Sequence, residues 1–135
     1  DWNQVTPAMN AMEQAVRDNV GEGEKVHVFT HLSHLYPQGS SIYTTYVFRS
    51  SDSYHNTLQR WRAMKEAASD AIVAHGGTIS HQHGVGRDHA PWLRHEKGEQ
   101  GIAALTSLVK HFDPQQRLNP GCLLDDTQPR IEKES

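Results

Sequence analysis

Two alternating segments separated by a short connection constrain this chain more than any other feature. From Lys25 to Leu32, Val26, Val28, Thr30 and Leu32 alternate with His27, Phe29 and His31. From Ser41 to Phe48, Ile42, Thr44, Tyr46 and Phe48 alternate with Tyr43, Thr45 and Val47. A period of two turns one face of a strand inward and the other outward, so both segments are expected to be half-buried strands. The connection, Ser33 to Ser40 with Pro37 and Gly39, is shorter than the dozen or so residues of a helical crossover. The pair is therefore expected to be antiparallel.

Helical periodicity flanks this pair. Thr6-Pro7 reads as an N-cap followed by proline at the first helical position, and Met9, Met12, Val16 and Val20 recur until Gly21 and Gly23. Ser51-Asp52-Ser53 offers an N-cap for a long helix whose stripe is Tyr54, Leu58, Trp61, Met64, Ala68 and Ile72, ended by Gly76-Gly77 and expected to cover one face of the sheet. Thr78-Ile79-Ser80 is expected to be a brief extended piece. A short helix with Trp92 and Leu93 is expected after Ala90-Pro91, and another from about Gln100 with Ile102, Leu105, Leu108, Val109 and Phe112. Asp113-Pro114 ends it, Leu118-Asn119-Pro120-Gly121 is a turn, and Asp125 to Ser135 reads as a polar, mobile tail. The expected class is α+β, an antiparallel sheet covered by helices, with a ferredoxin-like arrangement open to it.

Composition narrows the partners. The 135 residues fit one domain, with 13 Lys and Arg against 16 Asp and Glu and no basic run, which argues against nucleic acid. Cys122 is alone, so no intrachain disulfide forms, and no apolar run reaches the roughly 20 residues of a membrane span. A cytoplasmic protein is expected. The opening Asp1-Trp2-Asn3 has neither an initiator methionine nor a signal-like segment, which suggests a piece of a longer polypeptide.

The stretch from His75 to His89 concentrates glycine, histidine and arginine beyond what core packing would select. Three chemistries are open to it. His81 and His83, with His31 and His34, are nitrogens that zinc would accept, but no carboxylate sits within His81-Gln82-His83 and a site needs three or four converging ligands. Gly84-Val85-Gly86-Arg87 sets flexible backbone N–H groups beside a guanidinium, which suits a phosphate or carboxylate as well as it suits a solvated loop. Tyr43, with His31 near it across the strands, is either a general base or a tyrosine whose hydroxyl is satisfied in the fold. Cys122 follows a proline-glycine turn with no histidine adjacent and reads as a small buried hydrophobe. GxGxxG after a strand, GxxxxGK[ST] and paired CxxC are all absent, so no complete nucleotide site is encoded.

Gly76-Gly77-Thr78-Ile79-Ser80-His81-Gln82-His83-Gly84-Val85-Gly86, with Trp92-Leu93 and Asp113-Pro114 through Leu118-Asn119-Pro120-Gly121, resembles the C-terminal domain of FAD-linked oxidases of the vanillyl-alcohol oxidase type. The resemblance runs from Val26 to Leu124. One branch, the hydroxyacid dehydrogenases, carries metal-binding histidines and a glutamate; here Tyr43 and Gln82 stand at two of those positions, so no metal is expected. The other branch, alkylglycerone-phosphate synthase, has a similar glycine-histidine segment and a tyrosine at nearly the spacing of Tyr43, and this sequence is closer to it.

That resemblance implies a substrate or cap domain over residues 1–124 and an FAD-binding domain outside this chain. It implies FAD as cofactor, held mainly by that other domain, with His81, Gln82, His83, Gly84 and Asn119 contributing from this one. Tyr43 would be the base, His81 and His83 would orient substrate, and Arg87, where the branch has lysine, would meet a substrate phosphate. The implied reaction exchanges acyl for alkyl on acyl-dihydroxyacetone phosphate through a flavin adduct; oxidation of a 2-hydroxy acid or related alcohol, and a non-catalytic module of the same fold, stay open. The partners implied are a small-molecule substrate and the protein's own FAD-binding domain, with monomer and homodimer both open, and the fragment alone is expected to be inactive.

Overall fold

The computed structural model describes residues 1–124, so the expected tail from Asp125 to Ser135 lies outside the described residues. Its elements are α1 (Trp2–Asp18), β1 (Val26–Leu35), β2 (Ser40–Phe48), α2 (Tyr54–Ala74) and α3 (Gly86–Phe112). They divide into two compact units, residues 1–77 and the segment from Thr78 onward. The class is α+β, as expected.

In the first unit, β1 and β2 form a two-stranded antiparallel sheet with Val26 opposite Phe48, Val28 opposite Tyr46 and Thr30 opposite Thr44. The strands run further than the alternation suggests. Tyr36 and Gly39 exchange backbone hydrogen bonds of 2.8 and 3.3 Å, leaving Pro37-Gln38 as a two-residue tip. Gly39 is buried there, and a Cβ on it would lie 3.1 Å from the Asp1 backbone. A bulge between Leu32 and His34 then changes the pairing, so that His34 meets Ser41.

α1 begins at Trp2, four residues before the expected cap Thr6, and Pro7 lies inside it. The first turn is held from outside: the Trp2 backbone N–H donates to Gln38 O at 3.1 Å and its indole Nε1 donates to Tyr36 O at 3.1 Å. Pro7 removes the bond that Asn3 O would accept, but Asn3 is exposed and water can replace the lost donor. Val5, Ala8, Met12 and Val16 form the buried stripe of this helix.

The sheet is covered by α1, whose backbone approaches both strands, whereas the backbone of α2 packs beside α1. α2 reaches the shared core through side chains: Met64 is buried with Val16, Val20 and Val28, and Ala68, Val26, Tyr46 and Phe48 pack around them. The stripe expected on α2 is correspondingly shorter, since Tyr54 at its start is 82% exposed. Ser53 caps the helix by accepting from Asn56 N at 3.1 Å. At the other end Gly76 adopts φ +66, and the N–H groups of Gly76 and Gly77 donate to Val73 O and Ile72 O at 3.0 and 2.9 Å. That pattern is a Schellman motif, which explains why two glycines end this helix.

The second unit departs from expectation twice. Thr78-Ile79-Ser80 forms no strand, because its backbone is braced by a side chain instead: Ile79 N–H donates to Glu96 Oε2 at 3.2 Å. The first of the two expected helices starts earlier, at Gly86, and passes through Pro91; Gly98, whose φ 67 and ψ 172 are not helical, then separates it from the second, so α3 is two helices joined at that residue, as the sequence indicates. Ala90, Trp92 and Leu93 are its buried residues. No helix among the described residues is long and apolar enough to cross a membrane.

Candidate functional site

Tyr43 lies on the outward face of β2, directly opposite His31 of β1. Their rings are stacked, with centroids 5.2 Å apart and planes 26° apart. Tyr43 is 46% exposed. The bulge brings a second imidazole to this face, because Ser41 shares a side with Tyr43 and the shifted register sets His34 opposite Ser41. His34 Nδ1 is 3.2 Å from Ser33 Oγ and 3.4 Å from Ser41 Oγ, and the two hydroxyls are 2.5 Å apart. A phenol and two imidazoles thus share one open surface. A regular alternation would have set His31 and His34, three residues apart, on opposite faces.

The glycine-histidine segment belongs to the second unit. It forms an open turn between Ile79 and α3, closed by a hydrogen bond from Ser80 Oγ to Gly84 O at 2.6 Å. Gln82 has φ 66, a left-handed conformation that a side chain rarely adopts, flanked by His81 and an exposed His83. Gly84 and Gly86 have φ values of 73 and 61, and no heavy atom lies within 4 Å of where a Cβ would stand on either. Their backbone is open to the close approach of a flat ligand. Arg87 is exposed in the first turn of α3, next to Asp88, whose carboxylate competes for the positive end of the helix.

Two further residues shape this turn. His89 Nδ1 is 3.0 Å from Val85 O, one helical turn back, and donates to it where Nδ1 carries the proton. Glu96 braces the entry. Burial raises its pKa more than any other single effect, but hydrogen bonds from Lys97, the Ile79 N–H and Thr78, with the Lys97 charge, together hold it below the ordinary glutamate value. The spacing of Val85 and His89 made that contact readable. Glu96, 17 residues from Ile79, carried no sequence signal.

Asn119 sits in the turn after α3 with φ 48, its carbonyl accepting from Cys122 N at 3.1 Å. That turn is tied to the helix end by Asp113, whose carboxylate accepts from Arg117 N and Leu118 N at 3.0 and 2.8 Å. Cys122 is a half-buried free thiol. Among the described residues, no three His, Cys, Asp or Glu side chains are grouped so that they could hold a metal ion. Of the residues singled out from the sequence, Tyr43 and His31 meet in the first unit, while His81, Gln82, His83, Gly84 and Arg87 adjoin one another in the second.

Residues 1–123 match the family described as FAD linked oxidases, C-terminal domain. The chain belongs to this family. Among its relatives, alkyldihydroxyacetonephosphate synthase of Trypanosoma brucei brucei is 33% identical over 113 residues, covering 84% of this chain and 18% of the relative. The protein of the same name from Dictyostelium discoideum is 28% identical over 125 residues, covering 93% of this chain and 20% of the relative. Glycolate oxidase subunit GlcD of Bacillus subtilis (strain 168) is 34% identical over 84 residues, covering 62% of this chain and 17% of the relative. The chain thus spans about a fifth of the length of the synthases it matches. No solved structure matches it significantly. Membership in an FAD-linked family implies the cofactor, and the open backbone at Gly84 and Gly86 fits a contact with it.

Proposed function

We propose that this chain is the substrate-side domain, residues 1–124, of a longer FAD-dependent enzyme that exchanges acyl for alkyl on an acyl-dihydroxyacetone phosphate. The observation that carries this reading is the similarity to alkyldihydroxyacetonephosphate synthases over 84–93% of the chain, a span that includes both Tyr43 and the glycine-histidine turn. The FAD-binding domain would lie in the rest of the polypeptide.

FAD supplies an electrophilic ring system, chemistry that protein side chains lack. His81, Gln82, His83, Gly84 and Asn119 would line it from this side. Tyr43 Oη is the base: it gives its own proton to the solvent and then takes one from the substrate carbon. Its exposure on an open face supports that role, since both substrate and solvent can reach it. His81 and His83 orient the substrate by hydrogen bonds. Arg87 offers a fixed positive charge with paired donors, which suits a phosphate group better than a neutral alcohol.

A second reading, oxidation of a 2-hydroxy acid, is favoured by the similarity to the glycolate oxidase subunit and to a probable mitochondrial D-lactate dehydrogenase of Danio rerio. The two readings separate in one experiment on the longer polypeptide. Purified protein should be yellow with flavin absorbance, and should turn over acyl-dihydroxyacetone phosphate with a fatty alcohol while leaving D-2-hydroxy acids untouched. Activity on the hydroxy acids alone would select the second reading, and a colourless, inactive protein would leave only a module that keeps the fold.

A further inference from the structure

The geometry points to His31 as the positioning residue for Tyr43: its imidazole, stacked across the strand pair, fixes the direction in which the Tyr43 hydroxyl is presented. This inference rests on the proposed role of Tyr43 as base. His31 acts through Tyr43 and is assigned no contact of its own with substrate or cofactor.

The case begins with exposure. Tyr43 lies on a two-stranded sheet and is 46% exposed among the described residues, so about half of its side chain is open to solvent. A base must hold its oxygen within hydrogen-bond reach of the proton it removes, and an exposed phenol free to change rotamer would lose that geometry. His31 is the cross-strand partner of Tyr43, and directly opposed side chains are the pairs that interact most strongly on a sheet face. Their near-parallel rings, 5.2 Å between centroids and 26° between planes, are in face contact. The contact is between stacked rings, so it restrains the orientation of the Tyr43 ring and with it that of the hydroxyl the ring carries.

His31→Ala, His31→Phe and His34→Ala are the informative variants. In the present chain, with tyrosine rings isotopically labelled and Tyr43 assigned by Tyr43→Phe, the Tyr43 ring protons should show a ring-current shift that His31→Ala abolishes and His31→Phe and His34→Ala keep. In the flavin-loaded longer polypeptide, His31→Ala should lower kcat about three- to tenfold with little change in KM, and His31→Phe should restore it. The inference is overturned if Tyr43→Phe stops turnover while His31→Ala does not slow it, or if His31→Phe is as slow as His31→Ala. Failure of the base assignment has a different signature: Tyr43→Phe then leaves turnover unchanged, whatever the ring protons show.

Discussion

Met64→Ala should destabilise the first unit far more than Tyr54→Ala, although both residues lie on the stripe that the sequence assigns to α2. Met64 has no exposed surface and is packed with Val16, Val20 and Val28, so truncation removes two carbons and a sulfur from a closed core. The lost transfer free energy is about 2 kcal/mol, and the cavity left between α1, α2 and β1 brings the total to about 2–4 kcal/mol. Tyr54 is 82% exposed, and its truncation should cost under about 0.5 kcal/mol. Against a domain stability of about 5–15 kcal/mol, the first change is a large fraction and the second is negligible. Urea unfolding followed by far-UV circular dichroism measures both. The midpoint should fall by about 1–3 M for Met64→Ala at an m-value near 1.5 kcal/mol/M, and stay within error for Tyr54→Ala. Equal shifts for the two variants would refute the packing described for α2.

Three other outcomes follow from the structure. Gly76→Ala forces a side chain into φ +66 at the Schellman turn and should cost about 1 kcal/mol, lowering Tm by about 4–8 °C in a thermal melt. Glu13 is held below its ordinary pKa of 4.5, first by the hydrogen bond from Arg17 and then by that from Thr30. Its stabilisation is therefore complete above 4.5 and lost as the pH falls through the lower folded value; Glu13→Gln should flatten the acid limb of a stability-versus-pH curve, and an unchanged limb would contradict the assignment. Arg87→Ala in the flavin-loaded longer polypeptide should raise KM for a phosphate-bearing substrate about tenfold or more with a smaller effect on kcat; an unchanged KM would remove Arg87 from the phosphate site.

The strand pair was legible because alternation and a short connection leave few alternatives: Val26 to Phe48 folds back on itself as the sequence indicates. What the pattern missed were features set by distant contacts. The bulge after Leu32 that gathers His31 and His34 on one face has no local signal, and neither does the anchoring of Trp2 on Gln38 and Tyr36 that lets α1 begin ahead of Pro7. Proline misled in the same way at Pro91, where the sequence suggested a helix start and the structure has a helix already under way from Gly86. Glu96 replaces strand pairing for Ile79. The candidate site was readable as composition, since glycines and histidines so concentrated point to chemistry, and as resemblance to a family that residues 1–123 prove to match. The stacking of His31 on Tyr43 needed the register as well.

Tyr43 is proposed as the base of an FAD-dependent acyl-for-alkyl exchange in the longer polypeptide. The most direct test is turnover of acyl-dihydroxyacetone phosphate with a fatty alcohol by the flavin-loaded, full-length Tyr43→Phe variant. If Tyr43 is the base, kcat falls about a hundredfold or more with the flavin spectrum unchanged. Wild-type turnover by that variant would contradict it.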